Sequence, residues 1–287
     1  MYTNFAHTQP QMQQNSSKKT ELSSPFSFSQ SSLQDYVDCA RRFQLLYIEQ
    51  LKWPAVETMP VLENERRQLE GQQFHRMVQQ HLVGLPANKL ERMANTETLA
   101  RWWQHFLDFR NQEDFGIIHP ELTISAPVGK HRLMAKYDLI SVKDNHTIIY
   151  DWKTYQKRPE NTDMDRRLQT RVYPALLVLA GSHINNGNGF TADQVEMQYW
   201  YAEFPNEPYQ LSYSGTIHKH DLLYINSLID EISAKQSYPP TDNEKKCAFC
   251  VYRSFCERGV FAGEAESMEI EGKQIGVDLE QIQEIEF

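Results

Sequence analysis

The sequence is organised around one short stretch, Ile148-Ile149-Tyr150-Asp151-Trp152-Lys153. Its β-branched and aromatic residues predict a buried strand. Side chains alternate between the two faces of a strand, so Asp151 and Lys153 point to one face and Trp152 to the other. A carboxylate and an ammonium group are therefore expected side by side at the end of this strand.

The strand is predicted to be the last of a three-stranded meander. The earlier strands are predicted at Leu122–Val128 and Arg132–Ile140, and the third at Thr147–Trp152, with turn-like residues between them. The apolar spacing predicts helices on both sides of the meander in the chain. Order is expected to begin near Ser27, and Ser32 with Asp35 three residues later resembles a capping box at the start of the first helix. These elements indicate a mixed α/β domain, completed by a helix from about Met164 to Ala180, strands at Val195–Ala202 and Tyr209–Gly215, and a helix from about Lys219 to Gln236.

Composition and charge exclude few classes of protein. The 287 residues are 40% hydrophobic and 23% charged, as in ordinary globular domains. Residues 263–287 hold eight acidic residues against one lysine, so this segment carries −7 of the formal charge of −9 and leaves −2 for the rest. Because binding to nucleic acid depends on local potential, this net charge does not exclude it. The body retains basic pairs at Arg41-Arg42, Arg66-Arg67, Lys157-Arg158 and Arg166-Arg167.

Asp138, near the end of the second predicted strand, can bring a second carboxylate to Asp151. Two carboxylates and a backbone carbonyl, with waters, suit octahedral Mg²⁺ or Mn²⁺. Such an ion can bind a phosphate and acidify a water, and Lys153 can stabilise or deprotonate the nucleophile. An acid and a lysine two positions apart are common, so this motif alone is weak evidence.

Two further motifs make the pattern more specific. Gly71-Gln72-Gln73-Phe74-His75 lies on the second predicted helix, and Gln169-Thr170-Arg171-Val172-Tyr173 begins the helix after the meander. With Asp138 and the Asp151–Lys153 pair, the order resembles the RecB-like branch of the PD-(D/E)xK nucleases. The resemblance implies a restriction-endonuclease-like core in which His75, Asp138 and Asp151 bind the metal. It also implies that Asp138, Asp151 and Lys153 are catalytic, and that Gln169 and Tyr173 bind the substrate.

The sequence departs from this family pattern at one position. The family has a glycine three residues before the first acid, where this chain has Ala135. Alanine needs only slightly more room, so the site is expected to tolerate it. Glu121, at the start of the first strand, resembles an acid often found there and is expected to support the site.

The chain has four cysteines, Cys39, Cys247, Cys250 and Cys256, which suit a site of four thiolates. Spacing alone leaves zinc and iron–sulfur open. The segments around Cys39 and around the last three cysteines resemble those of AddB-type and CRISPR-adaptation exonuclease domains, which implies a 4Fe–4S cluster. Alanine at position 40 stands where proline is common.

The sequence therefore predicts a polar tail at residues 1–24, a nuclease domain at 25–262 held by an Fe–S cluster, and an acidic tail at 263–287. The expected activity is hydrolysis of DNA single strands or duplex ends by an Mg²⁺- or Mn²⁺-dependent exonuclease. Repair, recombination or CRISPR adaptation is the expected context, with a helicase or CRISPR integration proteins as partners. The alternatives are a catalytically silent DNA-binding or adaptor module of the same fold, and a structural zinc protein. The first 24 residues are polar and the longest apolar run, Ala175–Ala180, is far short of the about 20 residues that span a bilayer, so a cytoplasmic location is expected.

Overall fold

The computed structural model describes residues 21–51, 59–247 and 250–259, and the side chains of these residues except 59–65. Most of the tail predicted at 1–24, and all of the tail predicted at 263–287, lie outside the described residues. Leu22 already packs against the hydrophobic core. No helix in the described part of the chain is long and apolar enough to cross a membrane.

A six-stranded mixed sheet forms the centre of the fold. Three strands form an antiparallel meander, a fourth joins it in parallel, and a fifth lies antiparallel at the far edge. A short strand from the N-terminal part of the chain adds to the sheet in parallel. In chain order the strands are β1 (Ser27–Ser29), β2 (Ile117–Val128), β3 (His131–Lys143), β4 (His146–Lys153), β5 (Val195–Tyr201) and β6 (Tyr209–Ser212).

The central strand β3 has three neighbours. β2 pairs along the whole of one edge of β3, so β1 and β4 share the other edge. β1 pairs with residues 132–134 of β3, and β4 pairs with residues 139–143. Residues 135–138 of β3 lie between these two partners, and this gap is where the candidate site is found.

Helices cover both faces of the sheet. In chain order, those of the described residues are α1 (Gln30–Asp38), α2 (Ala40–Phe43), α3 (Met59–Leu82), α4 (Ala87–Leu90), α5 (Glu97–Gln112), α6 (Asn161–Asp165), α7 (Leu168–Ala180) and α8 (Gly215–Ala234). A π-helical turn, Gln44–Ile48, follows α2, and short 3₁₀ turns connect other elements.

Two hydrophobic cores lie on opposite faces of the sheet. The first core packs α1, α7 and α8 against residues such as Tyr137 and Tyr199. The second core packs α3 and α5 against residues such as Trp152 and Trp200. The second core is rich in aromatic rings, which stack or meet edge to face at centroid distances such as 5.6 Å between Phe106 and Trp152. The chain is thus a three-layer α/β/α domain, as the predicted mixed α/β class requires.

The predicted meander is confirmed, and its strands are longer than predicted. The start of the first helix was predicted wrongly, because Ser29 and not Ser32 is the N-cap of α1, and Ser32 is its reciprocal partner in the capping box. The helix predicted from Met164 is divided, since the backbone of Arg167 is extended and α7 begins at Leu168. β1 was not predicted, because three residues are too short to show a strand pattern.

Candidate active site

The site begins where β3 and β4 separate. The last backbone pair between them is Leu139 with Tyr150. One step further on, the backbone N–H of Trp152 donates to Oδ2 of Asp138 (2.8 Å). The Asp138 carboxylate thus accepts a hydrogen bond that a strand carbonyl would otherwise accept, and this contact fixes the carboxylate in the fork between the two strands.

Three potential metal ligands from three elements meet at this fork. His75 of α3, Glu121 of β2 and Asp138 of β3 offer ligand atoms that all lie within 4.8 Å of one another. Nδ1 of His75 lies 3.3 Å from Oδ1 of Asp138. Nε2 of His75 is buried and has no hydrogen-bond partner among the described residues. Buried ring nitrogens are normally satisfied, so this atom is consistent with a ligand position.

Local backbone features bring His75 and Glu121 into this group. Gly71 lies one turn before His75, and a Cβ at Gly71 would lie 3.0 Å from Oγ1 of Thr154, so glycine allows α3 to approach the end of β4 closely. Glu121 lies opposite Asp138 in the β2–β3 register, between the pairs at positions 120 and 122, and has a φ of +53°. A non-glycine residue rarely adopts this conformation, which marks a local distortion of β2 at the site.

A second polar group lies beside the first and joins β4 to α7. Nζ of Lys153 lies 2.6 Å from Oδ2 of Asp151 and donates to Oε1 of Gln169 (3.0 Å). Nε2 of Gln169 donates to the other oxygen, Oδ1, of Asp151. Asp151 and Lys153 are 3% and 4% exposed, so this is a buried ion pair completed by an amide. Trp152 packs into the second core on the opposite face, as the strand alternation predicted.

Tyr173 lies behind Gln169, one helical turn further along α7. Its hydroxyl is hydrogen-bonded to Gln169. Its backbone carbonyl accepts from the hydroxyl of Tyr137 (2.9 Å). Tyr173 is 4% exposed. Burial raises the pKa of Tyr173 well above its usual value, so its hydroxyl stays protonated. The hydrogen bond between the two side chains thereby holds Gln169 in one orientation.

The carboxylates of the site oppose one another electrostatically. Burial raises the pKa of Asp151, and the charge of Asp138 raises it further against the opposing effect of Lys153. Burial and the charge of Asp138 likewise raise the pKa of Glu121. Burial alone would lower the pKa of His75, but the charge of Asp138 and the hydrogen bond between them raise it. A cation placed among these groups would relieve this repulsion.

The sequence pattern placed His75, Asp138 and Asp151 in one metal set. The structure brings His75 and Asp138 together and adds Glu121, whereas Asp151 pairs with Lys153 and Gln169 in the next position. Sequence reasoning gave Glu121 only a supporting position. The predicted meander could have indicated that Glu121 is a candidate metal ligand, because the antiparallel register sets it opposite Asp138.

The cysteines lie away from this site, where the N-terminal and C-terminal segments of the described chain meet. Nζ of Lys246 contacts Oδ1 of Asp38 (2.6 Å), next to Cys247 and Cys39. Burial raises the pKa of the Cys250 thiol, and the nearby Cys39 and Cys256 raise it further while Arg42 lowers it. Among the described residues, no three of the four sulfurs lie within 4.8 Å of one another. The four cysteines form no disulfide with one another. Their separation in the described residues therefore gives no evidence of an iron–sulfur cluster.

The fold and the site together define an α/β domain with acids, a histidine and a lysine at the fork of its central strands. The sequence profile of the PD-(D/E)XK nuclease superfamily matches residues 27–111 and 97–257 of the chain. The chain therefore belongs to the PD-(D/E)XK nuclease superfamily.

Solved structures also resemble the chain, and 23 of their chains match it. One is SSO0001, at 13% identity and a TM-score of 0.40, with 82% of this chain and 87% of that chain covered. Another is an inferred exonuclease from Eubacterium rectale, at 9% identity and a TM-score of 0.48, with 92% and 98% covered. No curated relative matches the chain.

Proposed function

We propose that this nuclease hydrolyses phosphodiester bonds of DNA with a divalent metal ion held by His75, Glu121 and Asp138. The observation that carries the proposal is the convergence of these three side chains beside the Asp151–Lys153 pair. Family membership supports the reaction class, and the intact acids and lysine favour an active nuclease over a catalytically silent module of the same fold. Asp151 is proposed to complete the metal set from the adjacent position.

The donor atoms fit Mg²⁺ or Mn²⁺. Carboxylate oxygens suit both ions, and an imidazole nitrogen is better suited to Mn²⁺. The buried Nε2 of His75 has no partner in the described residues. Burial raises the pKa values of Glu121 and Asp151, and the charge of Asp138, which a cation would offset, raises both further. A divalent ion bound here would supply charge stabilisation at the scissile phosphate and a more acidic water.

The protein side chains would share the remaining work. Burial alone would lower the pKa of Lys153, but the charge of Asp151 raises it, so the lysine is a charged donor at neutral pH. Such a donor suits the negative charge that develops on the phosphate or the nucleophile. Gln169 holds Asp151 and Lys153 in place, and Tyr173 holds Gln169. These contacts favour an orienting role for Gln169 and Tyr173, through which they would help to align the DNA.

The narrower assignment rests on the sequence motifs. The order of the Gly71–His75, Asp138, Asp151–Lys153 and Gln169–Tyr173 motifs resembles the RecB-like branch, so we propose an exonuclease acting on single strands or duplex ends. Repair, recombination or CRISPR adaptation in the cytoplasm is the context proposed from the same resemblance, with a helicase or CRISPR integration proteins as partners.

We also propose that Cys39, Cys247, Cys250 and Cys256 hold a 4Fe–4S cluster. Two observations support the four residues as a set: Lys246 and Asp38 join the two segments, and Cys250 interacts electrostatically with Cys39 and Cys256. Four thiolates surround a zinc ion at about 2.3 Å, whereas no three of the four sulfurs in the described residues lie within 4.8 Å of one another. A cluster would supply a cross-link between the two ends of the domain.

A cleavage assay tests the proposed activity. Labelled single-stranded and double-stranded DNA would be incubated with the protein and Mn²⁺, Mg²⁺ or EDTA. Cleavage is expected with either metal and not with EDTA, and Asp138→Asn should abolish it. Wild-type protein that binds DNA but cleaves neither substrate with either metal would replace this proposal with the silent DNA-binding module.

A further inference from the structure

A second positively charged side chain, that of Arg167, lies on the α7 side of the site and belongs to none of the sequence motifs. Nη1 of Arg167 donates to the hydroxyl of Tyr155 (3.0 Å), and the guanidinium carbon lies 5.6 Å from the centre of the Tyr155 ring. Nζ of Lys153 lies 5.9 Å from the centre of the same ring. Tyr155 is 5% exposed, whereas Arg167 is only partly buried. One buried tyrosine therefore contacts both cations, and solvent can reach the arginine.

The start of α7 fixes Arg167 relative to Asp151 and Lys153. The backbone N–H of Leu168 donates to Oε1 of Gln34 (3.1 Å), and Gln169 bonds to both members of the ion pair. The hydroxyl of Thr170 donates to the carbonyl of Met164 (2.6 Å) and lies 2.7 Å from that of Tyr199. Three successive residues after Arg167 are thus anchored. The helix start that orients the Asp151–Lys153 pair also fixes the backbone from which the Arg167 side chain extends, and Tyr155 contacts its guanidinium.

The chemistry of the Arg167 side chain at this position favours the binding of a phosphate group. Glu121, Asp138 and Asp151 concentrate negative charge at the site, and a polyanionic strand needs positive potential to approach it. A guanidinium is planar and always charged, and its paired donors match two phosphate oxygens. The Tyr155 ring and hydroxyl hold that plane in one orientation, which reduces the entropy lost on binding.

We propose that Arg167, oriented by Tyr155, binds the phosphate next to the scissile one in the substrate strand. This rests on the proposed nuclease function, in which Lys153 serves the scissile phosphate itself. A contact with the neighbouring phosphate exists equally in the ground state and the transition state. Its loss should therefore raise KM and leave kcat nearly unchanged.

The test compares Arg167→Gln with Arg166→Gln, because Arg166 is the adjacent, exposed arginine and the two substitutions remove the same charge. On a labelled oligothymidine, Arg167→Gln should raise KM about tenfold, the scale of one charged hydrogen-bond contact. The value of kcat should change much less, and Arg166→Gln should change KM only slightly. Tyr155→Phe, which keeps the ring and removes the hydroxyl, should give an intermediate KM.

A binding measurement separates this proposal from the proposed nuclease function. In the Asp138→Asn background, the slope of log K against log salt for the same oligothymidine should fall by about 0.7 when Arg167 becomes Gln, as expected for one lost phosphate contact on a single strand. Arg167→Lys should restore the slope, which excludes misfolding as the cause. Equal slopes and equal KM values for the Arg167 and Arg166 variants would overturn the proposal. Failure of wild-type cleavage would overturn only the nuclease function, since the binding slopes still test Arg167.

Discussion

Asp138 illustrates how one residue can serve both the fold and the site. Its Oδ2 accepts the N–H of Trp152 where β3 and β4 separate, and its Oδ1 faces His75 at 3.3 Å. Burial alone would raise the pKa of Asp138, but the charge of His75 and the hydrogen bonds it accepts lower it. The carboxylate is therefore ionised and immobilised before any metal or substrate binds. Asparagine at this position can keep the bond to Trp152 while losing the charge.

Glu121 gives a residue-scale prediction that separates metal binding from structural support. Glu121→Gln should weaken Mn²⁺ binding and cleavage by at least about tenfold, because it removes a charged ligand. The control is Lys136→Met, since Nζ of Lys136 lies 2.7 Å from Glu121 in an ion pair. Calorimetric titration with Mn²⁺ measures both variants. Equal losses in the two would show that Glu121 serves the ion pair and not the metal.

Lys153 gives a second prediction at this scale. Lys153→Met should retain Mn²⁺ binding and lose cleavage by roughly a hundredfold or more, the scale of one removed transition-state donor. It should also lower Tm, because a buried partner left unpaired costs about 3–5 kcal/mol. The double variant Asp151→Asn, Lys153→Met should recover part of the Tm, since no unpaired charge remains. Cleavage at the wild-type rate by Lys153→Met would contradict the assigned role.

At the scale of elements, the packing of α3 on β4 decides whether His75 reaches the fork. Gly71→Ala should reduce Mn²⁺ affinity and cleavage several-fold, because the new Cβ would lie 3.0 Å from Oγ1 of Thr154. Adding Thr154→Ala removes that oxygen and should restore most of the activity. Gly215→Ala is the matched control, because its Cβ would meet no atom within 4 Å. A Gly71→Ala variant with wild-type Mn²⁺ affinity and cleavage would show that the site does not depend on the close approach of α3 to β4.

The elements also show what the sequence could and could not predict. The alternation of side chains along β4 correctly predicted that Asp151 and Lys153 lie on one face of the sheet and Trp152 on the other. This alternation is a local property of any strand, so it can be read from the sequence. The conformation of Glu121 was not predictable, since a glutamate rarely adopts a positive φ and the surrounding sequence gives no signal for one. The extended backbone at Arg167, which divides the predicted helix, lies beside a contact that is distant in sequence, since the N–H of Leu168 donates to Gln34.

At the scale of the whole molecule, contacts distant in sequence join the N-terminal helices to the C-terminal segment. Besides the Lys246–Asp38 ion pair, the hydroxyl of Tyr252 donates to the carbonyl of Leu51 (2.8 Å), and the N–H of Arg41 donates to the carbonyl of Pro239 (3.2 Å). The sequence motifs predicted that the four cysteines act as a set, but the positions of their sulfurs depend on this packing. The contacts between the N-terminal helices and the C-terminal segment therefore involve none of the candidate active-site residues.

The cysteine set gives a prediction at this scale. Protein purified without oxygen should be brown and contain about four irons per chain if one cubane is bound. Cys39→Ser should lose the iron and become easier to digest with trypsin, because the cross-link to the C-terminal segment is lost. Metal analysis and limited proteolysis measure both effects. Colourless protein with one bound zinc would contradict the iron–sulfur proposal and leave the nuclease assignment intact.

Binding of Mn²⁺ decides whether His75, Glu121 and Asp138 hold one divalent metal ion as proposed. Calorimetric titration of metal-free protein with Mn²⁺ should show a site that is lost in Asp138→Asn, while circular dichroism shows that the variant stays folded. The same Mn²⁺ affinity and stoichiometry in wild type and a folded Asp138→Asn variant would show that Asp138 does not bind the metal ion.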